Sequence, residues 1–170
     1  MARALIVGCG CRGRELGGRL LAEGWTVRGT SRREEGLAAI EAAGIEPALA
    51  DPDRPGTILE LVGDVAVLVL LLGRVQADAD AVAALHGPRL ARLMEHLVET
   101  PVRGVVYEGT AAGAEVVRAA SRTWRIPART ISASPSQPVR YTGKDRLADE
   151  VASALAGETK ELNSDGNSGN

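Results

Sequence analysis

Residues 4–24 constrain this chain more than any other stretch. They open with Ala4-Leu5-Ile6-Val7, an apolar run of strand length. Gly8-Cys9-Gly10-Cys11-Arg12-Gly13 follows, and then a segment with Gly13, Leu16, Gly17, Leu20, Leu21 and Gly24 at helical spacing. Strand, glycine turn and helix, in that order, form the setting in which G-x-G-x-x-G holds the phosphates of a dinucleotide. Gly8 permits the tight turn out of the strand. Gly10, lacking a Cβ, lets backbone approach a pyrophosphate, and Gly13 brings the helix close to the sheet. First-turn N–H groups have no intrahelical partners and sit at the positive end of the helix dipole, so they attract a phosphate. Cys9, Cys11 and Arg12 complete the same binding loop.

The rest of the chain narrows the class. Its 170 residues suffice for one domain with one sizeable core. Aromatic residues make up only 2% and Phe is absent, so Ala, Val, Leu and Ile must fill that core. A formal net charge of −2 and no concentrated basic face argue against nucleic acid as the main partner. The longest apolar run, residues 65–72, is too short to span a bilayer, and the N-terminus lacks the pattern of a signal peptide. No membrane association and a cytoplasmic location are therefore expected. The two cysteines, Cys9 and Cys11, both lie in the glycine loop, and no second Cys/His cluster completes a metal site. They read as small loop residues, one or both partly exposed.

The remaining segments alternate strand and helix. Residues 25–30 read as the second strand, ending at Ser31-Arg32-Arg33. In a dinucleotide fold this end faces the adenosine ribose, where a carboxylate favours NAD. Here no Asp or Glu stands at the strand end, whereas guanidinium groups suit a 2′-phosphate. Ser31, Arg32 and Arg33 therefore point to NADP(H), with NAD(H) as the second choice. Residues 34–43 read as a helix and 45–49 as a short strand, which Pro47 assigns to a sheet edge. Asp51 stands where a carboxylate either reaches an adenine edge or closes an Asx turn before Pro52. Residues 57–62 read as a short helix. The continuous apolar run at 65–72 reads as a strand covered on both faces, and its end, Leu72-Gly73, is where backbone passes a bound cofactor.

Residues 78–85 carry a helical pattern. Pro88 is expected to start a further helix with Leu90, Leu93, Met94, Leu97 and Val98 inward, leaving His86 and His96 on the surface. Residues 103–107 read as the fifth strand, with Glu108-Gly109-Thr110 beyond it. A helix with Val117, Ala120, Ser121 and Trp124 on its packed face and a sixth strand at 128–132 follow. The last helix is placed at 145–156, and the polar tail 158–170 is expected to be disordered. This alternation implies an α/β protein with a doubly wound parallel sheet of about six strands, formed by residues 1–157, and the glycine motif at its start adds the dinucleotide-binding order 3-2-1-4-5-6.

The opening I-V-G-C-G-C-R-G-R-E-L-G-G-R-L-L-A-E-G-W-T-V-R-G-T-S-R resembles atypical and extended short-chain dehydrogenase/reductases of the NAD-dependent epimerase type. Ala50-Asp51, Val105-Val106-Tyr107, the segment 113–129 and the segment 141–155, with Asp145, Leu147 and Ala148, are similar to later parts of that family. The resemblance implies that Asp51 contacts adenine. It also implies a Ser or Thr after the fifth strand, a place held here by Thr110, and a Tyr-x-x-x-Lys on the next helix. No Tyr-x-x-x-Lys occurs in the chain. The nearest match, Tyr141-Thr142-Gly143-Lys144, has two intervening residues and follows the sixth strand. The family's C-terminal substrate region has no counterpart, so the chain resembles a truncated member.

Two functions compete. An NADP(H)-dependent oxidoreductase or epimerase-like enzyme needs an oriented nicotinamide and a proton donor, for which Thr110 and Tyr107 are the weak candidates. Its small-molecule substrate stays unnamed; it enters by the loop 134–138 or between the subunits of a homodimer. A nucleotide-binding or sensor module needs only the cleft. A pocket with a proton donor at the end of the fifth strand favours the enzyme, and a blocked end favours the module.

Overall fold

The structure, a computed structural model, describes residues 2–132. The expected helix at 145–156, the loop 134–138, Tyr141 to Lys144 and the tail lie outside the described residues. Six parallel strands form one sheet: β1 (Arg3–Val7), β2 (Thr26–Ser31), β3 (Glu46–Leu49), β4 (Val67–Leu71), β5 (Gly104–Gly109) and β6 (Ala128–Ser132). Their order is β3-β2-β1-β4-β5-β6, that of a Rossmann-like doubly wound sheet. Pro47 falls in the edge strand β3, where a missing donor costs the ladder least.

The helices are α1 (Cys11–Ala22), α2 (Leu37–Ala42), α3 (Pro55–Leu59), α4 (Ala79–Ala84), α5 (Leu90–His96) and α6 (Ala111–Trp124). Successive residues of a strand face opposite sides of the sheet, and both sides here are apolar. Leu5, Val7, Leu68, Leu70, Val105 and Tyr107 pack with α3, α5 and α6 through Ile58, Leu93, Met94 and Val117. Ala4, Ile6, Val67, Val69 and Val106 pack with α1 and α2 through Leu16, Leu20 and Ile40. The core of aliphatic side chains thus divides into two layers. The chain reverses its winding direction between β1 and β4, and it is outside the C-terminal ends of strands at such a point that open α/β sheets bind ligands.

The helix and strand ends bring corrections. Pro88 does not begin a helix. It lies inside a widened turn, Leu85–Arg89, that joins α4 to α5 and accommodates a residue with no N–H to donate. Val98, expected inward, is 47% exposed, because it falls in a 3-10 turn, Leu97–Glu99, whose tighter winding changes the phase of the stripe. Trp124, expected to pack, is 41% exposed; it is the last residue of α6, before Arg125 turns into the left-handed region at φ 55°. Strand β5 also continues two residues beyond the expected Tyr107, to Gly109.

Candidate functional site

A cleft of about 320 Å³ opens at the C-terminal ends of β1, β2 and β4. The glycine turn forms its floor. Gly8 has φ +81°, and a Cβ there would lie 2.6 Å from the Leu71 carbonyl oxygen, so only glycine allows this turn. Gly13 is closed from the other side, since a Cβ would lie 3.2 Å from Ile6 and 3.3 Å from Cys9 Sγ. Gly10 differs from both. Its φ of −77° suits any residue, and a Cβ there would meet nothing within 4 Å. Gly10 caps α1 without a side-chain hydrogen bond. The Cys9 N–H donates to the Thr30 carbonyl at 3.0 Å and ties the turn to the end of β2.

Three guanidinium-bearing residues line the cleft from three elements: Arg14 from α1, Arg32 after β2 and Arg74 after β4. No carboxylate lines it. Among the described residues, neither Arg32 nor Arg74 has a carboxylate partner, and Arg14 donates to Cys11 Sγ at 3.4 Å. The wall is therefore cationic and suited to an anion.

Of the residues singled out from sequence, Gly8, Cys9, Gly10, Ser31, Arg32 and Leu72 line the cleft. Cys11, Arg12, Gly13, Arg33, Asp51 and Gly73 do not. Cys11 is exposed at the start of α1, whereas Cys9 is buried, and burial pushes its thiol up to about 11 against the opposing charge of Arg14. The Ser31 hydroxyl donates to the Arg33 carbonyl at 2.7 Å and accepts the Arg33 N–H at 3.1 Å, so it shapes the loop. Asp51 closes an Asx turn, its Oδ1 accepting the Asp53 N–H at 2.9 Å. Sequence reasoning passed over Arg14 and Arg74. Arg14 stands one helical turn after Gly10 and shares its side of α1, and Arg74 is the first charge after the apolar run of β4.

The end of β5 is built in the opposite way. Tyr107 is 0% exposed, and its hydroxyl accepts the Thr110 N–H at 3.0 Å and lies 2.7 Å from His86 Nδ1. The phenolic oxygen occupies a notch that only glycines leave open: a Cβ would lie 2.2 Å from it at Gly109 and 1.9 Å at Gly113. His86, expected on the surface, is 4% exposed; the widened turn around Pro88 rotates it inward. Burial holds the imidazole below its ordinary pKa and favours its neutral form, in which Nδ1 shares one hydrogen bond with the phenolic oxygen. Burial likewise raises the Tyr107 pKa, against the lowering effect of its hydrogen bonds from Thr110. The Thr110 hydroxyl oxygen accepts the Gly113 N–H at 3.0 Å and caps α6. Both hydroxyl candidates for proton transfer are thus engaged inside the protein.

Beside them, Glu108 is 2% exposed and forms a two-pronged pair with Arg12. Arg12 Nη1 donates to Oε1 at 2.5 Å, and Nη2 donates to Oε2. Among the described residues, no group of three or more His, Cys, Asp and Glu is arranged to hold a metal ion, and no helix is long and apolar enough to cross a membrane.

No protein-family model matches the sequence, and no curated protein matches it. Solved structures do share its fold. The UDP-N-acetylglucosamine 4-epimerase from Bacillus cereus superposes with a TM-score of 0.61 at 13% identity, over 76% of this chain and 53% of the epimerase. A short-chain dehydrogenase/reductase superfamily protein from Agrobacterium tumefaciens, solved with bound NAD, gives 0.61 at 17% identity, over 75% of this chain and 48% of its own. The triphenylmethane reductase from a Citrobacter species, complexed with NADP(H), gives 0.59 at 18%, over 76% and 48%. The matched region spans about half the length of each. What this chain shares with them, at such identities, is the Rossmann-like fold.

Proposed function

We propose that the chain binds a nicotinamide dinucleotide at the glycine turn and takes NADP(H) in preference to NAD(H). The cleft carries this reading: open space above Gly10, and Arg14, Arg32 and Arg74 along a wall with no carboxylate. Gly8, Gly10 and the first turn of α1 hold the pyrophosphate. Arg32, where β2 ends without an acidic residue, holds the 2′-phosphate. The triphenylmethane reductase is described as an NADP(H) complex and the A. tumefaciens protein as NAD-bound, so the fold serves both cofactors and the choice falls to Arg32. A bound nicotinamide supplies hydride transfer.

Whether turnover accompanies binding divides two readings. An oxidoreductase or epimerase-like enzyme agrees with the descriptions of the B. cereus epimerase and the Citrobacter reductase. A binding or sensor module agrees with the β5 end, where Tyr107 and Thr110 are committed to His86 and to the start of α6. That observation favours the module.

Calorimetric titration with NADPH and NADH tests the binding reading. NADPH should bind more tightly, and Arg32→Ala should weaken it about tenfold or more, the worth of a hydrogen bond to a charged group, with little effect on NADH. Arg33→Ala, outside the cleft, should change neither. Equal weakening of both cofactors by Arg32→Ala would remove the 2′-phosphate from this site. No binding of either would end the dinucleotide reading.

A further inference from the structure

The cleft is lined from α1, β2, β4 and the segments after β1, β2, β3 and β4, and by no residue of β5 or α6. A dinucleotide across a doubly wound sheet needs both sides of the switch point: one nucleoside near β2 and β3, the other over β4 and β5. In this chain the second side is bridged. Arg12 is the second residue of α1, above the end of β1. Glu108 lies in β5 and faces α1, two residues beyond Val106, which packs in the α1 layer. Leu71 of β4 pairs in register with Glu108, and the Leu72 N–H donates to the Glu108 carbonyl at 2.9 Å. The Arg12–Glu108 pair therefore crosses the end of β4 on the α1 side. It does not yield readily, because displacing Arg12 breaks a two-pronged ion pair to a nearly fully buried carboxylate.

We infer that the Arg12–Glu108 pair bars the nicotinamide from the crevice over β4 and β5, so that this chain recognises its ligand through the adenosine and phosphate half alone. The inference rests on the dinucleotide reading above and narrows it to a ligand class, 2′-phosphorylated adenosine diphosphates. The nicotinamide ring adds nothing to affinity in this arrangement. Opening the pair creates the second half of the site.

The test is calorimetric titration of the full chain with NADP⁺ and with 2′-phospho-ADP-ribose, in which a hydroxyl stands in place of the nicotinamide ring. In the wild type the two affinities should agree within about threefold, a difference of less than one decade in Kd. In the double variant Arg12→Leu/Glu108→Leu, which removes both charges together, NADP⁺ should gain at least about tenfold over 2′-phospho-ADP-ribose. A wild type that prefers NADP⁺ by about tenfold or more overturns the inference and leaves the dinucleotide reading standing. A double variant that binds both ligands as the wild type does also overturns it, because the pair is then no bar. Binding of neither ligand to the wild type defeats the dinucleotide reading itself. Circular dichroism establishes whether the double variant is folded; should it not be, Arg12→Ala/Glu108→Gln, which withdraws the arm spanning from α1 to β5 and removes the buried charge, takes its place with the same two outcomes.

Discussion

The two sides of this sheet's switch point are made of similar residue types and arranged for opposite ends. On the β2 side, Gly10 faces open space, and Arg32 and Arg74 reach a cleft without a carboxylate partner among the described residues. On the β5 side, every polar group singled out has a partner inside the protein: Arg12 with Glu108, Tyr107 with His86, Thr110 with the start of α6. Unpartnered charge at a cleft is a recognition surface. Satisfied charge in the interior is a structural joint, costly to disturb. The difference makes a sharp claim: substitutions on the β5 side should act on stability, and substitutions on the β2 side on affinity.

The largest expected effect tests the first half of that claim. Glu108→Ala breaks the two-pronged pair with Arg12 and should lower the stability to urea unfolding by about 3–5 kcal/mol, the usual cost of removing one member of a buried pair. A loss under about 1 kcal/mol would place the pair with weak surface bridges and break the comparison.

Gly10→Val tests the other half. A valine at an N-cap should cost only about 1 kcal/mol of stability, since nothing lies within reach of its Cβ. Its methyl groups fill the space over the turn, and NADPH binding should weaken by about a hundredfold or more. Unfolding curves and titrations on the same preparation separate the two quantities. A variant that binds NADPH normally would show that the open space above Gly10 is not where the ligand lies.

The contrast also explains what could be read from the sequence. Strand β1, the glycine turn and α1 were legible because their signals are local: an apolar run, three glycines at fixed spacing and a helical stripe within residues 4–24. The parallel sheet followed from the alternation of elements, its order from the dinucleotide fold that the glycine motif implies, and β4 from its unbroken apolar run. The β5 side was opaque because its logic is long-range. Arg12 sits in the glycine motif, where local pattern assigns it to a phosphate, and nothing nearby betrays a partner 96 positions away. His86 was misplaced by the same kind of reasoning. Pro88 locally reads as a helix start, and only the widened turn that holds it shows the imidazole rotated toward Tyr107. Arg74 was passed over because a single charge after a strand has no spacing rule to mark it; the fold brings it to the same cleft as Arg32.

The smallest expected effect sharpens the comparison at His86. Burial lowers its pKa in the folded protein below the ordinary value of about 6.5, which the unfolded chain retains. Between those two values the unfolded state binds the extra proton, so stability rises with pH across that window. It is complete above pH 6.5 and is lost as the pH falls toward the folded value. His86→Asn keeps a hydrogen-bonding group for the Tyr107 hydroxyl and removes the titration, so its stability should be flatter than that of the wild type over the same window. Urea unfolding at a series of pH values from neutral downward measures both curves. Parallel curves would mean that the imidazole is hydrated enough to accept its proton in the fold, and the β5 side would then be less closed than the Tyr107 notch indicates. A flattened variant would tie the acid sensitivity to the same buried joint that withholds Tyr107 from chemistry. NADPH affinity, set on the other side of the switch point, should be the same in both proteins at neutral pH.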